Sequence, residues 1–402
     1  MKILFITQYF YPEIFRGNDI AFYLARENNV TVVTAVPNYP KGFFFEGYGT
    51  FCKSRETING IRIVRVPTIP RGKAGKVRLS LNYLTYLLFA SLYTIKLALT
   101  EKFDFVFVQQ LSPVTMAIPG VLYKKIRNVP LYIWVLDLWP ESLQSVGDIN
   151  NRLVLKIFTS IAKIIYKNSS KILISSRGFR NSIIDKDVNP EKLIFFPNWA
   201  EEIFENPPTE IVETPTLLSG FRVMFAGNIG EAQDFPSLMQ AALLLKGEKD
   251  IKFIIIGEGR KKRWLETFII ENKLEETVQL LGGFPISHMP SLFDKADIML
   301  VSLKDELIFN LTTPAKIQAY MASSKPIIAM MNGEGAALIK EAECGFAVGA
   351  GEFEKLSNQI KDLHQFPSDK LKEYGERGRN YYNKYFNKQS CLENLSKILE
   401  LE

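Results

Sequence analysis

The alternation of short strand-like runs with helical stretches limits the folds open to this sequence more than any other feature. In the first half, runs rich in β-branched and aromatic residues are separated by amphipathic stretches, which indicates strands joined by helices. The runs are ILFITQY, VTVVTA, RIVRVP, FDFVFVQQ, LYIWVLD, KILISS and KLIFFPN. This rhythm predicts an α/β domain with a parallel sheet that is covered by helices.

The rhythm stops in a polar, proline-bearing stretch and then starts again. That stretch is 201–219, and the runs after it are FRVMFAGNIG, IKFIIIGEG, VQLLGG, DIMLVSL and KPIIAMMNG. We therefore expect an N-terminal domain at 1–200, a linker at 201–219, a second domain at 220–379 and a helical tail to the end. Doubly wound domains bind ligands at the carboxyl ends of their strands, so two facing Rossmann-like domains predict a site in the cleft between them.

Composition excludes several functional classes. The chain has 402 residues and a formal net charge of +6, but its Lys and Arg are mixed with Asp and Glu, so no nucleic-acid-binding block is predicted. Three dispersed cysteines favour neither a disulfide framework nor a cysteine-ligated metal. The N-terminus lacks the pattern of a signal peptide, and we expect a cytoplasmic protein.

One apolar segment, 79–99, approaches the length of a membrane span and follows a basic lead. Asn82, Thr94 and Lys96 dilute it, and polar residues are costly inside lipid, which argues against a span. Two interpretations remain open. The segment is either a buried helix or a helix on the anionic face of a membrane, in which case 71–99 gives peripheral lipid contact.

In the second domain, three strands run into helices through residues that suit an anion. They are Gly227, Asn228 and Gly230 after the first strand, Gly257, Arg260 and Lys262 after the second, and Lys304, Thr312, Thr313 and Lys316 around the start of a later helix. Thr312 or Thr313 could cap that helix, with Pro314 at its first position. Glycine lets the backbone approach a ligand, and helix N-termini offer free N–H groups. We expect a diphosphate site without a metal, the alternative being plain turns and surface lysines.

The first domain offers two groups of candidates. Arg16, Gly17 and Asn18 stand in a predicted loop after the first strand, and Asp137 and Glu141 follow the fifth strand. Paired carboxylates can transfer protons, although helix capping is an alternative role. With only two histidines in the chain, a His-ligated metal centre or a Ser-His-Asp triad has little to draw on. No G-x-x-x-x-G-K-[ST] loop is present.

Seven motifs occur in order over nearly the whole length of the chain. They are ILFITQYFYPE, VLDLWPES, FPNWAE, AGNIGEAQ, IIGEGR, LGGFP and PAKIQAYMASSKPI. On these motifs, which follow the family's order, the chain resembles the bacterial family 4 of retaining glycosyltransferases with the GT-B fold, within the O-antigen and exopolysaccharide group that includes N-acetylfucosamine transferases.

The resemblance implies a retaining transfer, without metal or cofactor, from a UDP-sugar to an undecaprenyl-diphosphate-linked saccharide on the inner face of the cytoplasmic membrane. The sugar would be an N-acetylated deoxyhexose such as N-acetylfucosamine. It also implies that the 16–18 loop lies near the donor phosphates and that Asp137 and Glu141 lie on the acceptor side. Gly283, Phe284 and Pro285 would lie beside the base, and the helix from about 380 would pack back on the first domain.

Several family residues are replaced here. The E-x7-E pair would fall at Leu311 and Ala319, and Asn228 and Gln233 stand where an Arg and a Lys usually clamp the phosphates. Leu136 replaces the usual histidine before the Asp of the fifth strand. Positive charge would then come from Arg260, Lys261, Lys262, Lys304 or Lys316. We expect front-face attack, in which the leaving phosphate takes the acceptor proton and Asp137 orients the acceptor.

Two other functions remain open on the sequence. A UDP-sugar 2-epimerase has the same two-domain layout, although such enzymes rely on histidines and carboxylates at the cleft. A degenerate transferase that binds without turnover would fit the missing glutamates. Conversion of a UDP-sugar without an acceptor would favour the epimerase, and insensitivity to loss of Asp137 and Glu141 would favour the binding module.

Overall fold

The computed structural model describes residues 1–73, 75–145, 149–208 and 212–400. The chain divides into two compact units, Met1–Phe196 and Pro197–Glu402. The division lies just before the predicted end of the first domain at 200. The predicted linker, 201–219, includes a short helix, while 209–211 lie outside the described residues.

The N-terminal unit alternates strands and helices as the sequence predicts. Its elements are β1 (Lys2–Ile6), α1 (Arg16–Leu24), β2 (Asn29–Ala35), β3 (Arg55–Ile58), β4 (Ile61–Val66), α2 (Lys76–Thr100), β5 (Phe105–Gln110), α3 (Ile118–Arg127), β6 (Leu131–Val135), α4 (Glu141–Ser145), α5 (Arg152–Asn168), β7 (Lys171–Ile174), α6 (Phe179–Ile184) and β8 (Leu193–Phe195).

Its eight strands form one sheet in the order β3-β4-β2-β1-β5-β6-β7-β8. Every pairing is parallel except that of β3 with β4. β5 is buried along its whole length and β1 from its second residue, as expected for central strands covered on both faces. The antiparallel hairpin was not predicted. Its turn is Asn59-Gly60, both with positive φ, which is the common sequence signal for a tight hairpin.

Helix α2 places several polar side chains inside the unit and several leucines on its outer face. Asn82, Tyr86 and Thr94 are fully buried against the unit. Leu84, Leu88 and Leu92, on the opposite side, are 59%, 51% and 56% exposed. The segment Val77–Thr100 is long and apolar enough to cross a membrane, but part of it is buried inside the protein. Two of the polar residues that lower the hydropathy of this segment, Asn82 and Thr94, therefore face the interior of the unit.

The C-terminal unit repeats the α/β alternation. Its elements are α7 (Glu202–Glu205), β9 (Phe221–Ala226), α8 (Phe235–Leu244), β10 (Ile251–Ile256), α9 (Lys262–Glu271), β11 (Val278–Gly282), α10 (Met289–Asp294), β12 (Ile298–Ser302), α11 (Leu307–Leu311), α12 (Ala315–Ala322), β13 (Ile327–Met330), α13 (Gly333–Glu341), β14 (Gly345–Val348), α14 (Phe353–His364), α15 (Ser368–Tyr385) and α16 (Lys388–Ile398).

Six parallel strands form its sheet in the order β11-β10-β9-β12-β13-β14. The order reverses direction at β9, so the loops after β9 and β12 lie side by side at the carboxyl edge, where doubly wound sheets bind ligands. The two parallel, helix-covered sheets confirm the predicted fold class.

The last helices pack on the start of the C-terminal unit. The Tyr382 hydroxyl donates to the Glu205 carboxylate and accepts a hydrogen bond from the Ala200 amide at 3.1 Å. Arg379 donates to the backbone carbonyls of Phe204 and Glu205. These contacts fix α15 on the segment 200–205. Packing of the tail on the N-terminal domain stays a prediction.

Candidate functional site

The loops after β9 and β10 meet so closely that only glycine fits at their contact. A Cβ atom on Gly257 would lie 1.8 Å from the Gly227 carbonyl oxygen, and one on Gly259 would lie 2.2 Å from the carbonyl oxygen of Ile229. All three glycines have φ between +141° and +158°. Because no larger side chain tolerates this conformation or this space, the glycine motifs serve to hold the two loops together.

The loop after β12 joins the same group. The Lys304 amide donates to the Ala232 carbonyl at 2.9 Å, which ties it to the loop after β9. The loop after β11 joins through Glu258, whose Oε1 accepts the Gly283 amide at 3.1 Å. Phe284 and Pro285 follow directly, with the Phe284 ring 5.9 Å from that of His288. Four predicted donor-binding segments are thus neighbours at one edge of the sheet.

Lys316, in the first turn of α12, has an ammonium group in an unusual environment at this edge of the sheet. Its Nζ is buried and has no hydrogen-bond partner among the described residues, although part of its aliphatic stem is exposed. The ammonium lies 3.9 Å from the centroid of the Phe225 ring and would be 3.1 Å from a Cβ atom on Gly227. Burial lowers the pKa of Lys316 to about 7. A desolvated ammonium without an acceptor is a site prepared for an anion.

The other predicted lysines are already paired. Lys304 and Lys261 both contact Glu231, at 3.3 Å and 2.9 Å, and Lys262 contacts Glu258 at 2.8 Å. A hydrogen bond from Lys261 holds the pKa of Glu231 below its usual value, and one from Lys262 does the same for Glu258. These are exposed pairs, which contribute little to stability. Each of these ammonium groups therefore already has a carboxylate as its counter-charge.

Among the remaining candidates of this unit, Asn228 and Gly230 contact residues of their own loop, whereas Arg260 does not lie in the interior. Arg260 is exposed. Asn228 lies against Gly230, whose amide donates to Gln233 Oε1 at 3.1 Å.

The start of α12 differs from the prediction. The Thr312 hydroxyl donates to the Ile308 carbonyl of α11 at 2.7 Å instead of capping α12. Pro314, not a threonine, is the N-cap residue, and its own side chain makes no capping hydrogen bond. Thr313 stands between them in an intermediate environment.

In the N-terminal unit, Arg16, Gly17 and Asn18 form the first turn of α1 rather than a loop. A Cβ atom on Gly17 would lie 1.9 Å from Gln109 Oε1, so glycine is required for α1 to pack against the end of β5. The Asn18 amide group donates to the Glu13 carbonyl at 2.6 Å. The turn is therefore held from both sides.

Asp137 and Glu141 have different partners despite their closeness in sequence. Burial raises the pKa of Asp137, while hydrogen bonds from Ser112 oppose that rise. Glu141 instead accepts the ammonium of Lys186 at 2.8 Å and the hydroxyl of Ser182, both from α6 or just after it. Lys186 is 5% exposed. Glu141 thus belongs to a buried ion pair, whereas the Asp137 carboxyl is held by a serine.

Sequence analysis missed a second group beside Asp137. Glu13, Tyr9 and Tyr39 lie at the ends of β1 and β2, and Arg71 lies in the loop before α2. One Glu13 oxygen, Oε1, accepts the amides of Asn38 and Tyr39 at 2.7 Å and 2.6 Å. Burial raises the pKa of Glu13 to about 7. Because Arg71 was considered only as part of the possible lipid-contacting segment, its proximity to these residues was not foreseen.

No group of three or more His, Cys, Asp or Glu side chains able to hold a metal occurs within the described ranges. Independence of a metal stays a prediction.

Comparison with known proteins identifies the C-terminal unit. Residues 220–365 match the family model described as Glycosyl transferases group 1. The C-terminal unit is therefore similar to glycosyl transferases of group 1 over these residues. The match confirms the coarser prediction that the chain is a glycosyltransferase, while its sugar and acceptor stay predictions.

Curated relatives extend beyond that domain. WbjE of Pseudomonas aeruginosa, named a probable glycosyltransferase, is 24% identical over 72% of this chain and 74% of its own length. WcaI of Escherichia coli strain K12, provisionally named a colanic acid biosynthesis glycosyl transferase, is 25% identical over 76% of this chain and 77% of its own. Both alignments exceed the family match in length.

Among solved structures, Alr3699/HepE of Anabaena, crystallised with UDP, superposes with a TM-score of 0.71. It is 15% identical, and the superposition covers all of both chains. At this identity the likeness shows the fold alone, and that fold is GT-B.

Proposed function

We propose that the protein transfers a sugar from a UDP-sugar to a lipid-linked saccharide, with retention and without a metal, in the synthesis of a cell-surface polysaccharide. The observation that carries the proposal is the buried, unpaired ammonium of Lys316 beside Gly227, at the carboxyl edge of the glycosyl transferase domain. The relative named for colanic acid biosynthesis and the neighbour crystallised with UDP support the pathway and the donor.

The chemistry follows from the charge of Lys316. When the bond between the sugar and the diphosphate breaks, negative charge grows on the leaving phosphate, and a preorganised cation in a dry site stabilises it. An ammonium already stripped of water needs no further desolvation at that moment. The backbone amides at the start of α12, where the N-cap residue is Pro314, add donors on the same side.

In our proposal the acceptor attacks the same face of the sugar that the diphosphate leaves. The leaving phosphate takes the proton of the acceptor hydroxyl, and Asp137 orients that hydroxyl through its buried carboxyl. Glu141 keeps its pair with Lys186 and supports the loop instead of moving a proton. The donor sugar that we propose is an N-acetylated deoxyhexose such as N-acetylfucosamine, which rests on the family resemblance.

The experiment is a release assay with a panel of UDP-sugars, in EDTA, with and without a membrane extract. We expect UDP release only with one donor and the extract, and the anomeric configuration of the product gives the stereochemistry. Lys316→Met should abolish release, whereas Lys355→Met, at an exposed position of α14, should not. A UDP-sugar that binds but is never cleaved would contradict the proposal and favour the binding module.

We further propose that the N-terminal unit lies on an anionic membrane through α2. Between Glu56 and Glu101 the sequence has no acidic residue but seven Lys and Arg, which complements anionic lipid. One of the outward leucines of α2, Leu92, lines a groove of about 340 Å³. Its lining includes Val66, Pro67, Phe89, Leu92 and Tyr93, together with Arg55 and Lys96. An apolar outer face with a basic surround is typical of helices in the membrane interface.

Vesicle co-sedimentation tests the membrane proposal with a matched pair of leucines. Leu88 on α2 and Leu244 on α8 are both 51% exposed. We expect Leu88→Ser to weaken binding to phosphatidylglycerol vesicles about 10-fold, since burial of a leucine contributes about 1.5–3 kcal/mol. Leu244→Ser should have no effect. Equal binding by both variants, or binding to phosphatidylcholine alone as tight as to phosphatidylglycerol, would contradict this orientation.

A further inference from the structure

Arg71 is a positively charged side chain with aromatic neighbours. Its guanidinium carbon lies 5.1 Å from the centroid of the Tyr39 ring and 5.8 Å from that of Tyr9. One Nη donates to the Tyr9 hydroxyl at 3.3 Å. No carboxylate of the described residues lies within ion-pair distance of Arg71, although it is partly buried. The charge is therefore positioned but not neutralised.

The loop that carries Arg71 is fixed by a buried network. The Arg71 amide donates to Asn38 Oδ1 at 3.1 Å, and the Asn38 amide donates to Glu13 Oε1. Arg71 acts electrostatically on Glu13, where it opposes the rise in pKa that burial causes. Because its Oε1 already accepts two backbone amides, Glu13 holds the loop in place and does not form an ion pair with the guanidinium.

Three aromatic rings form a platform beside the guanidinium. The Tyr9 and Phe15 rings stack at 5.0 Å, and the Tyr39 ring lies 5.3 Å from Phe15 and 5.7 Å from Tyr9. Tyr39 is 39% exposed, so its ring reaches solvent. Aromatic rings offer a flat apolar surface with a polar tip, on which the C–H face of a sugar can pack.

The platform lies near the carboxyl predicted to orient the acceptor. Tyr83, from the start of α2, hydrogen-bonds with Tyr9. Burial raises the pKa of Tyr83, and Arg71 and Asp137 both act on that hydroxyl, in opposite directions. Arg71 and Asp137 therefore both lie close enough to the Tyr83 hydroxyl to act on it electrostatically.

We propose that Arg71 binds a phosphate of the lipid-linked acceptor while the Tyr39 ring packs against an acceptor sugar. This inference rests on the proposed function, whose acceptor it describes. The guanidinium fork suits phosphate oxygens. The loop also leads directly into α2, whose outer face is apolar, so a ligand that joins phosphate to a hydrocarbon chain fits both features.

Calorimetry with farnesyl diphosphate tests the site on the full chain, with UDP present at saturation so that the donor site is filled. We expect Arg71→Gln to weaken farnesyl diphosphate binding about 10-fold or more, because a hydrogen-bonded ion pair is lost. Lys73→Gln, which removes an exposed charge of the same loop, should change it less than threefold. Arg71→Lys should recover part of the affinity for farnesyl diphosphate. Tyr39→Ala should weaken the binding of acceptor saccharides more than the binding of farnesyl diphosphate.

The outcomes separate the possible sources of the phosphate and the two proposals. Equal losses in Arg71→Gln and Lys73→Gln would overturn the site in favour of diffuse charge. Loss of binding to phosphatidylglycerol vesicles without loss of farnesyl diphosphate would assign Arg71 to lipid headgroups and overturn the acceptor assignment. Unchanged UDP affinity and thermal melting in Arg71→Gln would show that the donor site and the fold are intact. Failure of the wild-type protein to bind any UDP-sugar would contradict the proposed function while leaving the Arg71 result readable.

Discussion

Two buried lysines of this protein have opposite environments. Lys186 in the N-terminal unit contacts Glu141 and Ser182, so its ammonium is paired inside one unit. Lys316 in the C-terminal unit has a buried Nζ that contacts the face of Phe225 and has no hydrogen-bond acceptor in the part of the chain that the structure describes. Burial removes the hydration of both ammonium groups, but only for Lys186 does a carboxylate offset the free-energy cost of that desolvation.

This difference indicates which of the two lysines has a structural role. A buried ion pair in which both charges are neutralised holds two elements together, here α4 and α6, and leaves no unpaired charge to bind a substrate. An unpaired buried ammonium destabilises its own fold, and it is retained where a ligand supplies the missing anion. The two lysines therefore predict opposite responses to mutation.

The largest expected effect follows from breaking the complete pair. Glu141→Gln leaves the ammonium of Lys186 buried and without a counter-charge, which typically costs about 3–5 kcal/mol. Urea unfolding of the purified variant should show this loss of unfolding free energy, while the affinity of the folded protein for UDP stays unchanged. A variant that keeps wild-type stability but loses turnover would instead make Glu141 a catalytic residue.

Removal of the unpaired lysine should have the reverse outcome. Lys316→Met keeps most of the length of the side chain and removes a charge that burial disfavours, so we expect the free energy of unfolding at pH 7 to rise by about 2 kcal/mol. Affinity for UDP should fall about 30-fold, since one charge-assisted contact contributes about 2 kcal/mol. Titration calorimetry and urea unfolding on the same sample give both numbers, and a destabilised variant would contradict the account of Lys316.

The pH dependence distinguishes the two lysines without a structural change. The folded-state pKa of Lys316 is about 7, well below the usual value near 10.4 of an unfolded lysine. Between these values the unfolded chain binds one proton more, so this group makes the protein more stable as pH rises from 7 toward 10. The difference in stability between Lys316→Met and wild type should shrink by about 2 kcal/mol from pH 7 to pH 9.

UDP binding should show the opposite trend. An anion favours the charged ammonium, so binding above pH 7 takes up a proton, and affinity should fall by up to about tenfold per pH unit. Lys316→Met should lose this slope. A wild-type affinity that does not change between pH 7 and pH 9 would mean that Lys316 does not meet the donor.

How much of this could be predicted depends on the range of the interactions. Most strands of both sheets followed from local patterns, because β-rich runs and helix periodicity are visible in consecutive residues, but β14 at the edge of the second sheet was not predicted. The β3–β4 hairpin was missed although Asn59-Gly60 signals it. The faces of α2 were also missed, because composition alone counts Asn82 and Thr94 without asking which side of the helix they occupy.

The site was harder to predict because its members come from distant segments. Lys316 was one of several equivalent lysines in the sequence, and its burial depends on Phe225 and Gly227, about 90 residues earlier. Glu141 was grouped with Asp137 by closeness in the chain, but its partners come from α6 and the residues after it. The setting of Arg71 depends on Tyr9, Asn38 and Tyr39, which no local pattern links to it.

The smallest expected effect completes the comparison with an exposed, paired lysine. Lys304 lies at the same sheet edge as Lys316, but it contacts Glu231 on the surface, where side chains of both residues are open to water. Lys304→Gln should change unfolding free energy by less than about 1 kcal/mol, because exposed ion pairs are screened and entropically costly. If burial without a partner is what prepares a lysine for the diphosphate, UDP affinity should also fall less than about threefold. A loss as large as that in Lys316→Met would mean that Lys304 leaves Glu231 when the donor binds, and that the two lysines clamp the diphosphate together.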